Sequence, residues 1–235
     1  MPQIDDAELF GNAEDQHAYE DFCANQEAVE KFTLDKPALV CRWRMSNKKV
    51  PMLNRHIRAL SERLVQGEPL THNMLSWAKQ HVEWSLAEGD YTAHDGVLML
   101  VIDVNGNAAM TVGEYEPLAD TSAKALRARS AEARSEADET GVAPELLAAV
   151  NDGGLAFVAP ADECLCGTAT LIEQLAQTKD IPVTRVDIPA QLKGALFLVS
   201  DEHGVVPADD TDAAEADAAT VAFFADGYEK LRARR

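Results

Sequence analysis

The chain contains few basic residues for its length. Its 21 lysines and arginines stand against 40 aspartates and glutamates, which gives a formal net charge of −19 over 235 residues. Binding to nucleic-acid phosphates requires clustered cations, so we expect no nucleic-acid partner. An anionic membrane surface is disfavoured for the same reason. The excess of acid is typical of a soluble, self-repelling surface.

Cysteines and long apolar runs are also scarce. The four cysteines, Cys23, Cys41, Cys164 and Cys166, are too few to indicate a disulfide framework. Neither a second cysteine pair nor a nearby histidine completes a tetrahedral set around Cys164-x-Cys166, so we predict free, partly accessible thiols and no metal. No run approaches the length of a transmembrane helix, and the acidic first residues lack a signal-peptide pattern. We therefore expect a cytoplasmic protein.

Several common catalytic motifs are missing as well. The sequence has no GxSxG motif and no P-loop. His81, His94 and His203 are too widely spaced to support a metal site from sequence. The run 200–203, SDEH, contains the residue types of a catalytic triad, but adjacency in sequence does not make a triad.

The most informative stretch is residues 160–208, which alternates between helical and extended patterns. Four apolar residues at helical spacing, from Leu171 to Ala176, predict a helix capped by Thr168 or Thr170. A short extended segment follows at 183–188. The apolar run 196–199 is typical of a buried strand, and 204–207 predicts a turn.

The rest of the chain predicts an α/β protein with two lobes. We place a small α/β domain at 1–118, with an acidic N-terminal helical arm over 1–35, and a larger α/β domain at 119–235. Residues 1–35 hold ten acids against one base, Lys31. The other predicted elements are strands at 38–45 and 50–53, helices from Asn54 and Thr71, hairpins across Asn105-Gly106 and Asn151–Gly154, an alanine-rich helix at 122–140, and a final helix from Asp212.

The order of elements at 155–208 resembles the class IV aminotransferases, which are fold-type IV pyridoxal-phosphate enzymes. The family's "LPGITR" turn, "GIPVEER.I" strand and "ADEVFLTGTA..V.PV" segment correspond here to CLCGTAT, DIPVTRVDI and GALFLVSDEHGVVPA. The resemblance implies a D-amino-acid aminotransferase-like fold and pyridoxal phosphate as cofactor. It also implies a homodimer and a transaminase or lyase acting on a small amino acid or keto acid. We hypothesise that residues 1–35 contribute to the dimer contact.

The resemblance also assigns site residues. It implies Lys124 as the Schiff-base lysine and Glu139 as the carboxylate beside the pyridine nitrogen. The cofactor phosphate would be bound by Gly167, Thr168, Arg58 and Ser200. Yet the nearby Arg127 is typical of a charged helix surface, on which Lys124 would be a solvated lysine. The sequence separation between Lys124 and Glu139 is also shorter than in the family, by about one pair of strands. The sequence leaves both roles open.

The predicted phosphate site departs from the family pattern in two places. Ala59 stands where the family has its phosphate-binding arginine, and Arg58 is one residue off, a rotation of ~100° on a helix. Asp201 and Glu202 stand where the family has hydroxyls, and carboxylates repel a phosphate dianion. Both departures disfavour the binding of pyridoxal phosphate, the cofactor that the resemblance implies. Two hypotheses follow: a pyridoxal-phosphate-dependent transaminase or lyase, or a degenerate relative without the cofactor that acts as a binding or assembly protein.

Overall fold

The computed structural model describes residues 34–89, 94–141, 144–187 and 192–233. Residues Asp35–Arg235 form one compact unit, and the statements below concern that unit. The acidic helical arm predicted for residues 1–35 lies almost entirely outside the described residues. The predicted boundary after residue 118 falls in the connection between the strand Ala108–Gly113 and the helix Ala123–Thr140.

Ten strands and five helices follow one another along the described ranges. The strands are β1 Pro37–Met45, β2 Leu64–Val65, β3 Glu68–Pro69, β4 Gly96–Asp103, β5 Ala108–Gly113, β6 Leu146–Asn151, β7 Gly154–Val158, β8 Val183–Val186, β9 Ala195–Ser200 and β10 Gly204–Pro207. The helices are α1 Leu53–Ser61, α2 His72–Glu88, α3 Ala123–Thr140, α4 Gly167–Gln177 and α5 Glu215–Arg232. The α/β class predicted from the sequence is confirmed.

A three-stranded antiparallel sheet in the order β1-β4-β5 packs against α1 and α2. Alternate residues of β4, Leu98, Leu100 and Ile102, are fully buried in this first core. That alternation is expected where one face of a sheet covers a core. The predicted hairpin across Asn105-Gly106 is confirmed.

A five-stranded sheet in the order β10-β9-β6-β7-β8 forms the second half of the unit. Only β7 and β8 are parallel, because α4 connects them as a crossover. Leu146, Ala148 and Val150 share a core with α4 and α5, whereas Leu147 and Ala149 share another with α3. Both faces of the central strand are thus covered, which explains its continuous apolar sequence.

The alanine-rich helix α3 is held by one large side chain and by its two ends. Leu126 is fully buried against the five-stranded sheet. The Ser122 hydroxyl caps the helix by accepting the Ala125 N–H at 3.2 Å. Gly141 ends it at a φ of 65°, and a Cβ at that position would overlap the Ala38 carbonyl. α3 therefore lies close to β1 as well as to its own sheet.

Three local predictions were wrong. Residues 50–53 are not a strand: Met52 takes a left-handed φ of 59°, which ends the extended chain and starts α1. Residues 204–207 form β10 and pair with β9, because the turn lies one step earlier at 201–203. The cap of α4 is Cys166, whose Sγ accepts the Ala169 N–H, and not a threonine. Every described helix is too short or too polar to span a bilayer.

Candidate functional site

A small cleft lies where β1, α1, α3, the start of α4 and the β9–β10 turn meet. Its cavity has a volume of about 50 Å³. Positive and negative side chains both line it. The polar lining residues are Cys41, Arg42, His56, Arg63, Arg129, Glu136, Glu145, Cys166, Ser200, Asp201 and Glu202.

The side chain of Asp201 lies against the N-terminus of α4. Its Oδ1 accepts the Thr168 N–H at 2.7 Å, and its Oδ2 accepts the Gly167 N–H at 3.2 Å. The turn that presents it is held by Ser200, whose hydroxyl accepts the N–H groups of Glu202 and His203, both at 3.0 Å. A helix N-terminus attracts anions through its free N–H groups and its dipole. In this chain, that anion is a carboxylate of the chain itself.

His56 adds a possible cation to the same arrangement. It is buried, with 3% of its surface exposed, and its ring stacks on Trp43 at 5.4 Å between centroids. Its Nδ1 lies 3.2 Å from Asp201 Oδ2, at ion-pair distance, although the angles do not make a hydrogen bond. The imidazole fits because residue 167 is glycine: a Cβ there would lie 2.5 Å from Nδ1.

These contacts decide the charge of Asp201. Burial by itself would raise the pKa of this carboxyl. A positive charge on the nearby His56 ring and the hydrogen bond from the Thr168 N–H favour the ionised form, outweigh burial and hold the pKa of Asp201 at about 2. Asp201 is therefore ionised throughout the neutral range.

A second polar cluster surrounds Glu145, which directly precedes β6. Arg129 binds both carboxylate oxygens of Glu145, at 2.7 and 3.0 Å, and the Ser200 hydroxyl lies 3.4 Å from one of them. Ligand atoms of Glu145, Glu202 and His203 lie within 4.8 Å of one another. The Arg129 guanidinium already neutralises Glu145 in a bidentate pair, which disfavours a cation at this place.

A chain of contacts joins this cluster to the three-stranded sheet. His203 Nδ1 lies 3.4 Å from the Tyr115 hydroxyl, and the Arg44 guanidinium stacks over the Tyr115 ring at 3.2 Å. Burial lowers the pKa of His203, although the neighbouring Glu145 and Glu202 oppose this effect. The Arg44 N–H donates to the Asp201 carbonyl at 2.9 Å. The two sheets therefore meet at the β9–β10 turn.

The structure brings together some of the residues predicted for a site and separates others. Gly167, Thr168 and Ser200 are buried beside Asp201 or Glu145. Lys124 is exposed on the first turn of α3, outside the lining of the cleft. Arg58 is exposed on α1, while its neighbour Ala59 lines the cavity, as the rotation of one helical residue predicted. Glu139 belongs to the last turn of α3, and its side chain lies outside the described residues.

The cleft residues that were missed as site residues from sequence include His56, Arg129 and Glu145. His56 contacts Asp201, which is distant in the chain, and Arg129 contacts Glu145, which lies beyond the connection between α3 and β6. A local sequence pattern therefore links neither pair. The only signal was the pair of acids at 201 and 202, which stood where the resemblance placed hydroxyls.

The cleft residues do not fit pyridoxal phosphate. The cavity of about 50 Å³ is far below the roughly 300–1,000 Å³ of small-molecule pockets. An open groove of about 360 Å³ shares Arg63 and Gly141 with the cavity, and its volume lies within that range. Among the described residues that line the cavity and this groove, however, none is a lysine. The helix N-terminus that would meet the phosphate is already bound to Asp201.

The thiols are free in the described part of the chain, as predicted. The Cys164 thiol is half-buried and donates to the Glu62 carbonyl at 3.4 Å. The expectation that Cys166 is partly accessible was wrong, because its role as the α4 cap leaves only 2% of its surface exposed. Burial and the nearby Asp201 carboxylate raise the pKa of Cys41 to about 12, and the same two causes raise the pKa of Cys166.

We expect Cys164 to react first among these three thiols. Brief alkylation of the native protein with iodoacetamide at pH 8, mapped by mass spectrometry, should label Cys164 well ahead of Cys41 and Cys166. The reason is that the thiolate is the nucleophile, and raised pKa values keep the other two thiols protonated. Alkylation in urea should remove the difference. Native labelling of Cys166 as fast as that of Cys164 would contradict this arrangement.

The pKa of Asp201 predicts a pH-dependent stability. Its folded-state pKa of about 2 lies below the ordinary value of 3.8, so its contribution is complete above pH 5 and is lost as the pH falls through 3.8 towards 2. From pH 6 to pH 3 the wild type should lose about 1 kcal/mol more unfolding free energy than Asp201→Asn. Urea unfolding at both pH values measures this loss. The exposed Asp226→Asn variant should track the wild type; equal losses in all three proteins would contradict the assignment.

Comparison with known proteins identifies the fold. No protein-family model matches the sequence, and no curated protein matches it either. Among solved structures, a hypothetical aminotransferase from Mycobacterium tuberculosis in its apo form has a TM-score of 0.59 at 13% identity, covering 88% of this chain and 95% of that one. A pyridoxal-phosphate-bound form of a hypothetical aminotransferase from Mycobacterium tuberculosis has a TM-score of 0.57 at 11% identity, covering 86% of this chain and 95% of that one.

Two further solved structures agree. A putative branched-chain amino acid aminotransferase from Thermotoga maritima has a TM-score of 0.55 at 14% identity, with coverage of 88% of this chain and 92% of that chain. A putative 4-amino-4-deoxychorismate lyase from Legionella pneumophila has a TM-score of 0.56 at 11% identity, with coverage of 86% and 96%. This chain therefore has the α/β fold of the fold-type IV aminotransferases, as the sequence resemblance predicted.

Proposed function

We propose that this chain carries the fold-type IV aminotransferase fold without using pyridoxal phosphate, and that it acts as a binding or assembly protein. The observation that supports the proposal is the position of Asp201. Its carboxylate accepts the N–H groups of Gly167 and Thr168, the two groups that the sequence resemblance assigns to the cofactor phosphate.

Electrostatics supports the same conclusion. A phosphate brought to the α4 N-terminus would meet the ionised Asp201 in a partly desolvated cleft, where repulsion is stronger than in water. To enter, the phosphate would have to displace a carboxylate that already has two N–H donors and His56 at 3.2 Å.

The cleft also offers the phosphate little in exchange. Ala59 lines the cavity where an arginine would be needed, and Arg58 is exposed elsewhere on α1. Each missing charge-assisted hydrogen bond lowers affinity by about ten- to a hundredfold, at roughly 1.5–3 kcal/mol per bond.

The second candidate function is a pyridoxal-phosphate-dependent transaminase or lyase acting on a small amino acid or keto acid. It is favoured by the aminotransferases and the lyase among the similar solved structures. In that case Lys124 would form the Schiff base and Glu139 would face the pyridine nitrogen. This function requires the cleft to open and Lys124 to move from its exposed position on α3.

A cofactor titration separates the two functions. The purified protein, incubated with pyridoxal phosphate and freed of excess by gel filtration, should stay colourless, because the phosphate site is filled by Asp201. The measurement is the visible absorption spectrum, followed by borohydride reduction and mass spectrometry of the modified peptide.

A stoichiometric coloured adduct would overturn the proposal if Lys124→Ala abolishes it and the matched control Lys230→Ala does not. Such a result would show cofactor binding at Lys124 and would favour the transaminase or lyase instead. Weak labelling spread over several lysines is the non-specific reaction expected of any exposed amine, and it would agree with the proposal.

We further propose that the chain acts as a homodimer. Trp77 and Trp84 of α2 are 42% and 61% exposed. Their seven-residue spacing places them on one face of the helix. Exposed aromatic residues grouped in this way are typical of an association surface.

Light scattering at micromolar concentration should give twice the mass of one chain. Trp84→Asp should shift the equilibrium towards the monomer, because it puts a charge into the contact, whereas Glu83→Ala on the same helix should not. A monomeric wild type under these conditions would contradict the proposal.

A further inference from the structure

We propose that His203 is a pH-sensitive latch between the β9–β10 turn and the connection that leads from β5 to α3. At neutral pH the imidazole ring holds Tyr115 of that connection, and in mild acid a proton on the ring releases Tyr115. The latch controls a contact between two parts of the fold. It therefore goes beyond the proposed function and does not depend on whether the chain binds a cofactor.

The connection between β5 and α3 is held by side chains. Within the described ranges, residues 115–119 make no backbone hydrogen bond. Leu118 packs against the core that α3 shares with the five-stranded sheet, and Tyr115 makes the polar contacts. A segment with so few bonds opens at low cost, because little has to break. The contacts of Tyr115 are therefore the main polar restraint on this connection.

The ring of His203 has one polar partner on each side. Its Nδ1 lies 3.4 Å from the Tyr115 hydroxyl oxygen, and its Nε2 lies 3.7 Å from Oε1 of Glu145. The tautomer that suits both partners carries its hydrogen on Nε2, towards the carboxylate, so that Nδ1 accepts the Tyr115 O–H. Only 5% of the His203 side chain is exposed, so water does not readily replace either partner. The neutral ring thus satisfies the Tyr115 hydroxyl.

A second proton on the ring reverses the contact with Tyr115. Nδ1 becomes a donor, so it no longer accepts the Tyr115 O–H, and that hydroxyl loses its acceptor. The imidazolium is attracted by the Glu145 carboxylate, and it is repelled by the Arg44 guanidinium that stacks over the Tyr115 ring at 3.2 Å. Both effects weaken the contact with Tyr115 and keep the contact with Glu145.

The charges around the ring favour the neutral form at pH 7. The titratable and charged groups that face it come from five parts of the fold: Arg44 of β1, Tyr115 of the connection, Arg129 of α3, Glu145 before β6 and Glu202 of the turn. Burial is the largest effect and, together with both guanidinium groups, lowers the pKa of His203 below the ordinary 6.5 against the attraction of the two carboxylates. The latched form is therefore complete above pH 6.5 and is lost as the pH falls below that value.

Limited proteolysis of the full chain tests the latch. A glutamate-specific protease that is active in mild acid and at neutral pH cuts the bond between Glu114 and Tyr115 when the connection opens. A synthetic peptide of residues 110–119, added to the same sample, corrects for the effect of pH on the protease. Relative to this peptide, cleavage of the wild type should rise roughly fivefold from pH 7.5 to pH 4.5, as expected for the loss of one hydrogen bond.

Three variants, each compared with a peptide of its own sequence, test the roles of the two side chains. His203→Gln does not take up a proton, so its cleavage should stay slow over the whole pH range. Tyr115→Phe lacks the hydroxyl and should be cleaved fast at both pH values. His94→Gln removes an exposed histidine and should follow the wild type. Cleavage after Glu132, inside α3, reports unfolding of the whole chain and should stay slow throughout.

Several outcomes would overturn the proposal. One is an equal rise in the wild type and in His203→Gln, and another is a wild-type rate that does not change with pH. A rise after Glu114 and Glu132 together would show that acid unfolds the whole chain and does not open a local contact. If His203→Gln does not fold, Tyr115→Phe decides the question: slow cleavage at pH 7.5, equal to that of the wild type, would contradict the latch.

Discussion

The contact between the Asp201 carboxylate and the N-terminus of α4 is the interaction on which the cleft depends. The carboxylate satisfies two N–H groups that the helix cannot satisfy internally, and it lies at ion-pair distance from the buried His56. Through its backbone carbonyl the same residue holds β1. One side chain and its own peptide group therefore join the three-stranded sheet, α1, α4 and the five-stranded sheet. Without the carboxylate, each of these groups would need another partner or water.

The same contact limits what the cleft can do. A helix N-terminus that holds a carboxylate on two N–H groups has no free donors there for a second anion, and the two anions would repel each other in a poorly solvated place. The neighbouring charges are also paired, since Arg129 binds Glu145 and Arg42 binds Glu136. The result is a small cleft of about 50 Å³ whose charges are largely balanced by the chain itself. The fold of the fold-type IV aminotransferases is present, and in it the α4 N-terminus is bound by a carboxylate of the chain itself.

Fold and site are specified by different features of the sequence, which is why one can persist while the other changes. The fold follows from apolar patterns that many sequences can supply: alternation in β4, a continuous run in β6 and β9, and helical spacing in α4. The similar solved structures have this fold at only 11–14% identity. A charged site requires particular side chains at particular places, so a single substitution can alter its chemistry without disturbing the core.

The sequence by itself determined the α/β class, both large hairpins, α2 to within one residue and α3 with its Ser122 and Gly141 ends, because hydrophobic period and capping residues act within a few residues of each other. It also indicated that Asp201 would oppose a phosphate. Only the tertiary structure decided that Asp201 binds α4, that His56 faces it and that Lys124 remains in solvent. Those contacts join residues far apart in the chain, and their distances depend on how the sheets and helices pack, which no local pattern contains.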